Sequence, residues 1–258
     1  MKHLAICIPN YNRIDKLERL IDEVSNQIIN NSLTNMVEVC ISDDCSPQDP
    51  SELIDLMMEK YAHVSFHYVR NKVNKGMDYN FLNSVLISDS TYCWIIGNDD
   101  IPTSDGIKTV VEYIQNNKNV DFMVTPFDVH DNEDRVISRI KPLSDDSDAV
   151  FDCANLDDRK RLFLNVQGNS GIFAFLSSVV FRRELWINSY KDFSDKMQSI
   201  FIQVYLNLNA ICNGANYHYL SKKIIKNYAD PIMNDTVDRM SRILFGLDDV
   251  VEFFLKMI

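Results

Sequence analysis

The chain has 258 residues, 46% hydrophobic and 24% charged, the balance of an ordinary globular protein, which excludes disorder and collagen-like repetition. That length suits one large α/β domain or two small ones. Its 26 Lys and Arg against 37 Asp and Glu leave a net charge of −11, which argues against a basic face that grips bare phosphate backbone or an anionic bilayer; nucleic acid is not an expected partner.

From the N-terminus, Leu4 to Ile8 is an apolar run too short for a signal peptide and reads as a buried strand, stopping at Pro9 and the polar Asn10-Tyr11-Asn12-Arg13. Ile14, Leu17, Leu20, Ile21, Val24 and Ile28 then keep helical spacing. The unit repeats with a strand over 37–42, the polar turn Asp43-Asp44-Cys45-Ser46-Pro47, and a helix capped by Ser51 and carrying Leu53, Ile54, Met57 and Met58. A third strand over 64–69 leads through a loop with Gly76 to a helix over 79–87. The fourth strand, 92–96, ends at Gly97-Asn98-Asp99-Asp100, and a helix over 105–115 and a strand over 122–127 follow.

The acidic stretch 128–158 reads as a long solvated loop. After Gly168-Asn169-Ser170-Gly171 the pattern predicts a strand over 172–181 closed by Arg182 and Arg183, a helix over about 195–210, a strand over 217–225 and an amphipathic helix over 236–258. That last helix is net acidic, so it fits its own domain or a homo-oligomer partner better than lipid, and membrane association is at most peripheral. No stretch is long and apolar enough to span a bilayer. Six scattered cysteines without a Cys-x-x-Cys pair are expected to be reduced thiols in a cytoplasmic protein.

Strands separated by helices of this length predict a mainly parallel sheet that binds ligands at the carboxyl ends of its strands. The polar residues gather there: Asn10, Tyr11 and Arg13; Asp43 and Asp44; Asp99 and Asp100. Adjacent carboxylates such as Asp99 and Asp100 suit a hard divalent cation whose coordination a substrate phosphate completes. Asp43 or Asp44 suits the hydrogen-bond donors of a base edge or ribose. No G-x-G-x-x-G follows the first strand and no phosphate-loop motif occurs, so dinucleotide and P-loop chemistry are not supported.

Ile8-Pro9-Asn10-Tyr11-Asn12-Arg13, Ile41-Ser42-Asp43-Asp44-Cys45-Ser46, Asn74-Lys75-Gly76 and Ile96-Gly97-Asn98-Asp99-Asp100 stand in an order and spacing that resembles the nucleotide-sugar domain of family 2 glycosyltransferases with the GT-A fold. The resemblance covers about residues 3–127 and continues more loosely over 175–186. It implies an α/β GT-A fold: a Rossmann-like mixed sheet flanked by helices, with 1–127 as the nucleotide-sugar half, 128–235 as the acceptor half and 236–258 as a terminal helix. It also implies a nucleoside-diphosphate sugar donor, Mn²⁺ or Mg²⁺ on the diphosphate, and inverting transfer to a hydroxyl acceptor.

By that resemblance Pro9, Tyr11 and Arg13 line the nucleotide pocket, Asp44 with its neighbour Asp43 holds the base or ribose, and Gly76, Asn80 and Asn98 lie toward the donor. Asp99 is the implied main metal ligand, with Asp100 sharing the task, because Gly97 stands where the family's first carboxylate would be. His218 is implied as a late metal ligand and Arg183 as a partner of the donor phosphates. Gln203 occupies the position of the family's general base and cannot take a proton. Asp195, two turns earlier, is the substitute, with Asp128, His130 or Asp131 as others. The family setting is bacterial surface-polysaccharide assembly, O-antigen or capsule, on a saccharide or lipid-linked saccharide at the cytoplasmic face. Two alternatives stand beside it: a sugar nucleotidyltransferase, and a GT-A module that binds without turnover.

Overall fold

The computed structural model describes residues 2–171 and 173–228, together with Glu252. β1 (Leu4–Asn10) is buried except at half-buried Pro9 because both faces receive helices. Leu4, Ile6 and Ile8 join one apolar core while Ala5 and Cys7 join the other, as the two-residue period of a strand requires. α1 (Ile14–Asn30) lays Leu17, Leu20, Ile21, Val24 and Ile28 onto the first of these cores. β2 (Val37–Asp43), α2 (Ser51–Lys60), β3 (Ser65–Arg70), α3 (Met77–Leu86) and β4 (Tyr92–Ile95) continue the alternation. β5 (Asp100–Pro102), α4 (Gly106–Asn116), β6 (Phe122–Val124), β7 (Phe127–His130), β8 (Val136–Ile140) and β9 (Ala149–Asp152) follow. The described chain then runs through α5 (Leu156–Asn165), α6 (Gly168–Gly171), β10 (Val179–Arg182), α7 (Arg183–Ser189), α8 (Ile202–Cys212), β11 (Asn216–Tyr219) and β12 (Ile225–Tyr228).

Eight strands form the main sheet in the order β3-β2-β1-β4-β10-β6-β11-β9. β1 to β4 are parallel and β10 runs antiparallel between β4 and β6, giving the mixed sheet that the motif pattern implies. The face under α3 carries small residues: Cys7 and Cys40 are register partners and Cys93 lies opposite Ala5. These thiols fill space as small apolar groups, and burial pushes the Cys7 and Cys40 thiols up, away from reactivity. A second sheet, β5-β12-β7-β8, sits at the exit of β4 and brings the last described strand against the Asp99-Asp100 turn.

Several elements depart from the pattern. The expected strand over 122–127 divides at Thr125-Pro126 into β6 and β7, which belong to different sheets, and the expected strand over 217–225 divides likewise into β11 and β12. The acidic stretch is not one loop but contains β7, β8 and β9, since its carboxylates meet cations far along the chain, Asp128 with Lys223 (2.7 Å) and Asp134 with Lys226 (3.1 Å). The expected strand over 172–181 shortens to β10, because Phe173 is left-handed (φ 66°) and Leu176–Ser178 form a 3₁₀ turn. The expected helix over 195–210 breaks at left-handed Ile200 (φ 63°) into a 3₁₀ segment, Tyr190–Lys196, and α8. Pro50, not Ser51, precedes the first residue of α2; the Ser51 amide donates to Asp49 (3.0 Å). The helix expected over 236–258 lies outside the described residues, Glu252 apart. No helix among the described residues is long and apolar enough to cross a membrane.

Candidate functional site

The carboxyl ends of β1, β2 and β4 are tied by a network of buried amides. Asn10 Nδ2 donates to Asp43 Oδ1 (2.7 Å), Asn98 Nδ2 donates to Asn10 Oδ1 (2.6 Å), and Asn80 Nδ2 from α3 donates to the Asn10 carbonyl (3.0 Å). Ser42 Oγ donates to Asn80 Oδ1 (2.7 Å). Asp43 is fully buried and also accepts from the Ser46 amide (3.0 Å), with the Arg70 guanidinium 3.3 Å away. A buried carboxylate is tolerated only with such partners. Asp44 turns the other way and gathers the 71–76 loop, accepting from Asn71 Nδ2 (2.8 Å), the Lys75 amide (2.9 Å) and the Gly76 amide (2.8 Å). Gly76 holds φ 91°, which only glycine adopts without strain, and begins α3 directly after that contact. The acidic pair at the end of β2 thus ties the scaffold of the site together.

What faces solvent is the turn between β1 and α1 and the Asp99 carboxylate. Asn12 is left-handed (φ 54°) and its amide donates to Ser46 Oγ (2.8 Å), a fixed turn that leaves Tyr11 45% exposed beside half-buried Pro9. Arg13 and Lys16, one helical turn apart at the start of α1, both donate to the Asp99 carboxylate, whose side chain is 17% exposed.

Asp100, the next residue, points inward. It accepts from Ser177 Oγ and from Asn227 Nδ2 (2.7 Å), and burial lifts its carboxyl to about 7 despite these donors. Gly97 is small for the same reason, since a Cβ there would stand 3.2 Å from Asp100 Oδ2, and its amide donates to Ser177 Oγ (3.1 Å). A divalent cation completed by substrate phosphates and water needs at least one accessible carboxylate. Asp99 could serve only by sharing or displacing Arg13 and Lys16, which hold both of its oxygens, whereas Asp100 is enclosed between Ser177 and Asn227. No group of three or more His, Cys, Asp or Glu among the described residues forms a preassembled metal cage.

Three further expected site residues are not brought to this group. His218 lies in β11, three strands from β4 and on the order of 14 Å across the sheet. There it packs edge-on against Tyr113 of α4, its Nδ1 3.1 Å from the Tyr113 hydroxyl, and burial lowers its basicity, so it is not a ligand partner of Asp99. Arg183 follows β10, which runs antiparallel to β4, and so stands at the opposite edge of the sheet; its guanidinium donates to the Val85 (3.2 Å) and Leu86 (3.3 Å) carbonyls and caps the end of α3. Asp195 is 72% exposed on the 3₁₀ segment, with Lys196 as its ion-pair neighbour (3.8 Å). Of the other expected bases, Asp128 pairs with Lys223, Asp131 with Arg135, and His130 with Asp134. Gln203 is buried in the first turn of α8, Nε2 3.5 Å from the Ala174 carbonyl.

Lys16, Ser177 and Asn227 enter the site without having been expected. Lys16 carried a signal, the three-residue spacing from Arg13 on a helix that starts at a strand end. Ser177 and Asn227 carried none, because 77 and 127 residues separate them from Asp100.

Known proteins resemble this chain in sequence and in fold. The model of the family described as Glycosyl transferase family 2 matches residues 5–185. Abequosyltransferase RfbV of Salmonella typhimurium (strain LT2) is 29% identical over 254 residues, which cover 97% of this chain and 73% of that protein. The crystal structure of S. aureus TarS 1-349 superposes with a TM-score of 0.64 at 17% identity over 88% of this chain, which spans 60% of TarS 1-349. The same protein in complex with UDP-GlcNAc gives 0.65 at 15% identity over 92% of this chain and 62% of its own. At that identity the likeness to TarS is one of fold.

Proposed function

The chain belongs to glycosyl transferase family 2, and on that footing we propose that it moves a sugar from a nucleoside-diphosphate sugar to a hydroxyl acceptor with inversion at the anomeric carbon. Residues 1–127 form the donor half and 128–235 the acceptor half. The observation that carries this reading is the strand-end network of Asn10, Asp43, Asn80 and Asn98, which forms a rigid floor and leaves Tyr11, Arg13 and Asp99 at its open side. Tyr11 supplies an aromatic face for the base, and the 71–76 loop, pinned by Asp44, borders the donor.

A divalent cation, Mn²⁺ or Mg²⁺, held by Asp99 would neutralise charge developing on the departing diphosphate. Arg13 and Lys16 hold the Asp99 carboxylate in place and add positive charge beside the donor's path. Such a site works by positioning and electrostatics. The acceptor proton cannot go to Gln203, and Asp195 faces solvent.

The named activity of the RfbV relative and the UDP-GlcNAc complex of TarS support a nucleotide-sugar donor and a place in surface-polysaccharide assembly. We extend this to O-antigen or capsule assembly on a saccharide or lipid-linked saccharide at the cytoplasmic face of the membrane. The buried Gln203 favours a second reading, a module that binds the donor without turnover. A thermal-shift panel of UDP, CDP, GDP and dTDP with and without Mn²⁺, followed by assay of diphosphate release from the matching sugar donors, separates the two. Release of nucleoside diphosphate supports transfer, and stabilisation without release supports the binding module.

A further inference from the structure

Asp78 lies in the first turn of α3, two residues after the Gly76 amide that Asp44 holds, and is 2% exposed. It reaches across to another element. Its Oδ2 accepts from the Ile200 amide (2.9 Å), the amides of Ser199 and Ile202 and the Ser199 hydroxyl also face the carboxyl, and Oδ1 is buried without a hydrogen bond of normal geometry. The segment it meets leads into α8. That helix has Phe201 at its cap position, no side-chain cap and no acidic residue in its first turn, so its free amides lack a local acceptor. Ile200 is also left-handed, a conformation that is costly for a β-branched residue and persists only where surroundings hold it. Asp78 provides the missing acceptor, for these amides and for the strained residue.

α8 is buried on every side from Ile202 to Leu208, so the direction in which it starts fixes where the whole helix runs. It carries Gln203, whose Oε1 is buried and unpaired. We propose that Asp78 is a positioning residue that sets the start of α8, and with it the acceptor side of the cleft, from the donor-side loop that ends at Gly76. The proposal rests on the glycosyltransferase reading for its assignment of donor and acceptor sides. One carboxylate at the end of β2, Asp44, fixes the 71–76 loop; Asp78, two residues beyond that loop, passes the constraint to the second half of the molecule.

Asp78→Ala removes the acceptor oxygens, whereas Asp78→Asn keeps one for the Ile200 amide. Hydrogen–deuterium exchange of the full chain is expected to show at least tenfold faster exchange over 199–203 in Asp78→Ala, with most of the protection recovered in Asp78→Asn. In turnover, Asp78→Ala is expected to raise the acceptor KM at least tenfold while the Kd for the nucleoside diphosphate moves less than threefold, and Asp78→Asn to recover most of that loss. Unchanged exchange over 199–203 in Asp78→Ala overturns the proposal. So does an equal loss of kcat in both variants at constant acceptor KM, which is the signature of a proton acceptor. If Asp78→Ala fails to fold, Asp78→Ser takes its place, with an expected intermediate loss; wild-type exchange in Asp78→Ser overturns the proposal equally. Absence of turnover in the wild-type protein would sink the glycosyltransferase reading alone, because the exchange experiment still tests the contact.

Discussion

Replacing Lys16 by Met keeps the aliphatic stem and removes one of the two cations bound to Asp99. A divalent ion on Asp99 must share or displace Arg13 and Lys16, so each cation is a competitor for the ion. The Lys16 side chain is 40% exposed and the Asp99 side chain 17%, which places the pair near the upper end of the range for exposed ion pairs, about 1 kcal/mol rather than the several that unscreened charges would give. A competitor of about 1 kcal/mol weakens ion binding about fivefold. Lys16→Met should therefore bind Mn²⁺ about three- to fivefold more tightly in the absence of nucleotide, measured by isothermal titration at low ionic strength. Removing Arg13 as well should give less than the product of the two effects, since both cations share one carboxylate. Added salt should narrow the difference between wild type and variant. Unchanged or weaker Mn²⁺ binding in Lys16→Met refutes the competition, and Asp99→Asn binding Mn²⁺ as well as wild type moves the ion away from this carboxylate.

Asp99→Ala should abolish the Mn²⁺-dependent part of the melting shift given by the matching nucleoside diphosphate; survival of that part would remove Asp99 from the ion site. Arg183→Met, which strips two hydrogen bonds from the end of α3, should cost about 1–3 kcal/mol in urea melts and leave donor affinity within twofold, whereas a large donor effect would return Arg183 to the phosphates. Burial holds the Asp78 carboxyl at about 6 against 3.8 when unfolded, so its ionised form is disfavoured in the fold. The associated stability is present in full below pH 3.8 and is lost as pH rises through about 6, a swing of about 3 kcal/mol at most. Asp78→Asn does not titrate, so it should gain on wild type by about 2–3 kcal/mol between pH 4 and pH 7.5; parallel stability curves would show that the carboxyl is not perturbed.

The first half of the fold was legible because its signals are local. A five-residue apolar run, a helical stripe and a polar turn each need only a dozen neighbouring residues, and β1 to β4 with α1 to α3 form where these occur. The second half was less so. Phe173 and Ile200 adopt left-handed backbone that no propensity predicts for aromatic or β-branched residues, and each breaks an element that the pattern continues. The acidic stretch looked like a solvated loop because its lysine partners, Lys223 just before β12 and Lys226 on it, lie 92–95 residues later.

The sequence by itself determined the alternating α/β class, the sheet edge at which the polar residues gather, and the motif order that places the chain in its family, because all three depend on spacing along the chain. Only the tertiary structure decided what each polar residue does there. Asp99 and Asp100 are adjacent and chemically identical, yet Arg13 and Lys16 draw one to the open side while Ser177 and Asn227 enclose the other. Asp43 and Asp44 part in the same way, one into the strand network and one into the 71–76 loop. A side chain at a strand end takes its direction from the backbone of the turn and its charge state from whichever distant groups fold against it. Those partners, 27 to 127 residues away, have no expression in the local sequence.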